Sequence, residues 1–139
     1  INRANNIDYK QLKAKHSKQL SDFQGLFFAF SEEQFNEGLT KINAKIEDIC
    51  SIGAGGYILK AKRQDLDNLF KSFEAEKIEF LKSEKRLIAS IVHELNNYEY
   101  AISHKIEEVV AVLSLDLKNS FHRTCIKKAI KKYNKLCFN

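Results

Sequence analysis

The chain of 139 residues contains no proline and only five glycines. With no Pro-rich or Gly/Ser-rich stretch there is no visible linker, so residues 1–139 read as a single domain. Cysteine is scarce as well. Cys50, Cys125 and Cys137 are odd in number and match no zinc or redox spacing, so they read as reduced thiols with no disulfide expected. No window approaches the roughly 18 uncharged apolar residues of a spanning helix. Ile1–Asn6 hold neither an apolar h-region nor a small-residue cleavage site, and the expected setting is therefore the cytoplasm. No internal repeat is present.

What remains is an ordinary globular composition: 44% apolar and 29% charged residues, with 10 Phe and 5 Tyr. A chain of this length buries about two-thirds of its unfolded surface, enough for a core without staples. The charge is uneven. Residues 1–23 hold five basic and two acidic groups, and residues 24–117 hold 11 basic and 16 acidic. Residues 118–139 hold seven basic groups and no acid, so the whole excess of positive charge lies at the C-terminal end.

Apolar spacing predicts a loose helix from Ile7 to Phe23, ended by Gly25, and a buried strand over Leu26–Phe30. Ser31 and Gln34 form a capping-box pattern ahead of a helix over Glu32–Asn43 that buries Phe35, Leu39 and Ile42. Residues 49–52 and 57–60 read as a hairpin turned by Gly53-Ala54-Gly55-Gly56. A long helical pattern capped by Asp65 or Asp67 follows, with a break near Lys82-Ser83 and a stop at Asn96-Asn97. Tyr98–Ile102 alternates as a short strand would. Ser103 is placed to cap a helix with Ile106, Val109, Val110 and Leu113 inside, and a last helix spans about Asn119–Leu136. The expected fold is α+β: a small antiparallel sheet of about three strands packed against several helices, with a 1–117 body and a basic C-terminal helix over 118–139.

The chemistry-bearing patterns are few. Gly53–Gly56 continues into a strand rather than opening a helix, so it reads as a tight turn and not as a phosphate cradle. His93-Glu94 begins a zinc-protease motif, but Asn97 stands where the second His belongs. The stretch Ala89–Asn97 is also similar to the phospho-acceptor box of sensor histidine kinases, yet it has no following proline and no nucleotide-binding lids. His16, His93, His104 and His122 are scattered, so no metal or cofactor is expected, and the chain reads as non-enzymatic. His93 and Glu94 are the pair to test first for any chemistry.

The last helix is more informative. Phe121, Cys125, Ala129, Ile130, Tyr133 and Leu136 recur at helical spacing and are expected to dock inward. Arg123, Lys127, Lys128, Lys131, Lys132 and Lys135 occupy the rest of the circumference in two i, i+4 stripes. Nucleic-acid phosphates, an anionic membrane or an acidic protein surface could relieve their repulsion, and so could water on a plain solvated face. The apolar face lacks the bulk of a membrane helix, so no membrane partner is expected. Lys outnumbers Arg 19 to four, which suits loose charge attraction over bidentate base reading.

Three blocks carry a resemblance: Phe27-Phe28-Ala29-Phe30-Ser31 with Gln34-Phe35 and Gly38; Ser51–Tyr57, including Gly53, Gly55 and Gly56; and Glu94-Leu95-Asn96-Asn97-Tyr98-Glu99-Tyr100. Together they resemble an uncharacterised domain carried by phages, plasmids and related mobile elements, over roughly residues 8–115 and leaving the basic tail outside. That family more often has His where this chain has Tyr98, and it assigns no catalytic residue. The resemblance implies an accessory protein that disarms host defences by binding a defence nuclease complex or its guide RNA, as an anti-CRISPR protein does. Two modes follow: attachment through the Lys-rich tail, or nucleic-acid mimicry by acidic residues such as Glu74, Glu76 and Glu79. The alternative is a small RNA- or DNA-binding protein acting through the last helix.

Overall fold

The computed structural model describes residues 7–138. Ile1–Asn6, on which the leader reading rests, and Asn139 lie outside the described residues. Helix α1 (Tyr9–Ser21) leads to β1 (Leu26–Phe28), α2 (Glu32–Lys41), β2 (Ile49–Gly53) and β3 (Gly56–Leu59). Then come α3 (Arg63–Phe80), α4 (Glu84–Asn97), α5 (Tyr100–Ser103), α6 (Glu107–Val112) and α7 (Ser120–Phe138). The fold is α+β, as expected, with a three-stranded antiparallel sheet of order β1-β3-β2. The described residues form two compact units, 13–76 and 7–12 with 77–138, whose boundaries fall inside α1 and α3.

In the sheet unit, Ser31 caps α2 by accepting from the Gln34 N–H at 3.1 Å. The Gln34 side chain reaches back to accept from the Phe30 N–H at 2.8 Å, closing the predicted box one residue early. Phe27, Phe35 and Tyr57 pack ring against ring at 4.9–5.9 Å. Gly38 faces them, and a Cβ there would overlap the Phe27 ring. The predicted continuous burial of residues 26–30 is corrected: Phe27 and Ala29 are buried, whereas Phe28 and Phe30 are 49% and 77% exposed. β1 is an edge strand and α2 covers its Phe27 face, so alternate side chains emerge. The helix cap predicted at Asp65 or Asp67 is also displaced. A 3₁₀ turn over Lys60–Lys62 runs straight into α3, leaving Asp65 inside the first turn.

In the helical unit, α4 packs chiefly on α7. Leu87, Ile91 and Leu95 recur at i, i+4, i+8 along α4, and Cys125, Ala129 and Tyr133 do so along α7; all six are buried. The small Cys125 and Ala129 let the two ridges approach closely. Ser83 caps α4 at the predicted break. The strand predicted over Tyr98–Ile102 is instead the one-turn α5, set between Glu99 and His104 in the left-handed region at φ 53° and 57°. Five alternating residues with no neighbouring strand to pair with gain their hydrogen bonds locally, and Tyr133 adds one by accepting from the Ala101 N–H at 3.2 Å. Ser103 turns the chain by accepting from the Lys105 N–H and does not cap α6, which starts after Ile106. On α7, Ile126 is buried, while Phe121 and Leu136, expected inside, are 38% and 68% exposed. The buried face is narrower than the apolar stripe and ends at Tyr133.

Candidate functional site

Helix α7 starts at a side-chain cap, in which Asn119 Oδ1 accepts from the His122 N–H at 3.0 Å. Its 19 residues carry six Lys and Arg and no acid. The six cations divide by what they touch. The Arg123 guanidinium folds back to donate to the carbonyls of Leu117 and Lys118 at 3.2 and 3.1 Å, anchoring the preceding turn. Lys128 is ion-paired with Glu84 at the start of α4, and that carboxylate raises the lysine above its ordinary range, through the hydrogen bond first and then through its charge. Lys127, Lys131, Lys132 and Lys135 are exposed and meet no carboxylate among the described residues. Each i, i+4 like-charge pair in this set costs an isolated helix roughly 0.2–0.5 kcal/mol, partly offset by the negative end of the helix dipole. These four form the available cationic face.

The acidic alternative is differently placed. Glu76 accepts from Lys15 at 2.8 Å, with His16 at 3.6 Å, and the Lys15 hydrogen bond holds its carboxyl below the usual range despite partial desolvation. His16 in turn stacks on Phe73 at 4.2 Å. Glu79 pairs with Lys82 at 2.8 Å, and Glu74 is also engaged.

The glycines of the second block and the residues of the third, on which the expected resemblance rests, fall in two places. Gly53 and Gly56 face each other as the last pair of the β2–β3 hairpin, and Gly55, at φ 80°, sits in its turn under the Phe30 ring, where a Cβ would overlap it. The third block forms the end of α4. Glu94 is fully buried, Asn96 and Asn97 are exposed in the last turn, Glu99 turns the chain, and Tyr100 packs edge-on against Tyr133 at 5.8 Å. Half-buried His93 holds its Nε2 3.7 Å from Glu94 Oε1 and meets the Tyr9 ring edge-on at 5.3 Å. Burial raises the Tyr9 phenol above its ordinary range, helped by the charge of Glu94 and by a hydrogen bond to it. His93 and Glu94 are thus tied into the core beside Tyr9. Among the described residues no group of three or more His, Cys, Asp or Glu converges on a metal position, and no helix is long and apolar enough to cross a membrane. Cys50 is half-buried, Cys125 buried and Cys137 exposed, all as free thiols.

Two features had no reading in the sequence. One is the exposed end of the sheet, where Phe28 and Ile52 flank Gly56. The other is a groove in the helical unit lined by residues of 77–82, 113–115 and 119–122. A helical plot of α7 marks Phe121 only as an apolar neighbour of Cys125; nothing local signals a groove beside it.

A model of a family of unknown function, DUF7659, matches residues 8–135. The match continues past residue 115, where the resemblance above ends, and takes in α7 from Ser120 to Lys135. No curated protein and no solved structure matches the chain.

Proposed function

The chain belongs to the DUF7659 family, whose function is unknown, and from the geometry of α7 we propose that it acts by binding, without catalysis, and docks its lysine face on an acidic surface of a partner protein. One observation carries the reading: Lys127, Lys131, Lys132 and Lys135 lie exposed on one helix with no carboxylate partner among the described residues. A cationic face of this kind steers association with an acidic surface and sets its orientation. The division of the charges favours this over mimicry, because Glu74, Glu76 and Glu79 are already engaged within the chain. The partner class that follows from the sequence expectation is a host defence nuclease complex, inhibited in the manner of an anti-CRISPR protein.

The test is capture from host lysate on the immobilised full chain, with and without nuclease treatment, comparing the native protein with the Lys127→Glu/Lys131→Glu/Lys132→Glu/Lys135→Glu variant. The expected result is a nuclease-resistant defence protein, lost with the variant, whose cleavage activity falls when the native chain is added. Recovery of bulk RNA or DNA alone, with affinity falling steeply as salt rises, overturns the protein-partner reading in favour of phosphate binding.

A further inference from the structure

The groove of the helical unit encloses about 370 Å³, within the range of roughly 300–1,000 Å³ typical of ligand sites. Its floor is Leu81, Leu113 and Leu115, all buried, and its walls are Ile78 and Phe121, which are 53% and 38% exposed. Polar lining comes from Lys77, Lys82, Ser114, Asn119 and His122, and no carboxylate lines it. The His122 ring has a fixed role. Its Nδ1 accepts from the Asp116 N–H at 2.9 Å, so the neutral ring carries its proton on Nε2 and presents a donor there. The Lys77 ammonium donates to the Val112 carbonyl at 2.9 Å, and Lys82 is held by Glu79 in an exposed pair. A pair of that kind contributes little, so Lys82 can exchange it for another anion. The groove is therefore apolar below and rich in donors above.

It is also continuous with the lysine face. Lys82 lines the groove, and two residues later Glu84 pairs with Lys128, so the α3–α4 turn runs beside α7. At about 100° per residue, Phe121, Lys128 and Lys132 share one flank of α7, and at 1.5 Å per residue Lys132 lies about 16 Å along the axis from Phe121. Five extended residues of another chain span that distance at about 3.3 Å each.

We infer that this groove receives a bulky apolar side chain, Phe or Leu, from an extended acidic segment of the partner protein, while the flanking carboxylates meet Lys82, His122 and the Lys132 flank. The inference rests on the proposed lysine-face docking and adds to it an anchor pocket and a partner motif. It follows the general pattern in which a buried apolar anchor supplies affinity and a charged rim supplies register.

The test uses the full chain and three labelled probes followed by fluorescence anisotropy: the peptide Glu-Asp-Glu-Asp-Glu-Phe-Glu-Asp-Glu-Asp-Glu, with five acidic residues on each side of the anchor, the same peptide with Ser for Phe, and an oligothymidylate. The expected result is that the Phe peptide binds about ten-fold tighter than the Ser peptide, that Ile78→Asp removes this preference, and that Lys131→Glu/Lys132→Glu weakens both peptides alike. Equal binding of the two peptides, weakened alike by the lysine reversal, overturns the groove and leaves the lysine-face reading standing. Binding of the oligothymidylate alone overturns both, as does binding of no probe. Because Ile78→Asp could alter folding, amide NMR of the native chain gives a second readout. Shifts at Ser114, Leu115, Phe121 and His122 that appear with the Phe peptide and not with the Ser peptide support the anchor, and unchanged shifts reject it.

Discussion

Helices α3 and α7 are nearly equal in length, 18 and 19 residues, and both are heavily charged, yet they use charge in opposite ways. Along α3 both signs are interspersed, three basic residues among five acidic, and its Glu76 and Glu79 are drawn into ion pairs with Lys15 and Lys82. Along α7 there is one sign only, and apart from Arg123 and Lys128 the cations face outward without partners among the described residues. Mixed charge is neutralised within the fold and serves it, whereas one-sign charge stays available to something outside. Counting Lys and Glu along the chain does not separate the two; the partners do.

The largest effect that can break this contrast is charge reversal on α7. Converting Lys127, Lys131, Lys132 and Lys135 to Glu is expected to lower partner capture by about 100-fold, equivalent to about 2.7 kcal/mol, with the melting temperature unchanged. A similar loss on reversing Glu74, Glu76 and Glu79 would erase the distinction between the helices. Next comes the inner face of α7, where Ala129 is completely buried against α4. Ala129→Leu is expected to cost about 1–3 kcal/mol by overpacking, read from urea unfolding. A Lys131→Leu change on the outer face should alter stability by less than about 0.5 kcal/mol.

Glu76 sharpens the comparison through pH. Its carboxyl titrates lower in the folded chain than in the unfolded one, chiefly because of Lys15. The stability it contributes is therefore fully present above the unfolded-state value and is lost as pH falls through the lowered folded-state value. As pH falls through the ordinary glutamate range and below it, the native chain should lose stability more steeply than Glu76→Gln, as read from denaturant midpoints. Parallel curves would show that the Lys15 pair carries no weight. The smallest effect belongs to the Lys128–Glu84 pair, where both side chains are about half exposed. Lys128→Ala should leave the urea midpoint almost unchanged.

Much of the helical pattern was legible because helix periodicity and caps are local. Ser31 and the Lys82-Ser83 break lie where the sequence placed them, and the hairpin at Gly53–Gly56 follows from glycine in a turn with positive φ. Tyr98–Ile102 was misread because, over five residues, periods of 2 and 3.6 cannot be told apart without knowing whether a strand lies alongside. The same holds for Phe28 and Phe30, whose exposure depends on which face α2 covers.

The amino-acid order by itself determined the run of seven basic groups without an acid in the last 22 residues and the helix that carries it, since both are properties of a contiguous segment. Only the tertiary structure decided which lysines stay unpaired. Glu84 lies far from Lys128 in sequence and takes it out of the available set, and Leu117 and Lys118 do the same to Arg123 through their carbonyls. It likewise decided that Glu94 meets Tyr9 in the core, and that Ile78, Leu113 and Phe121 line one groove. Pairing and enclosure depend on distances between remote segments, and those distances are set by how the ridges of α4 and α7 pack, which no single segment encodes.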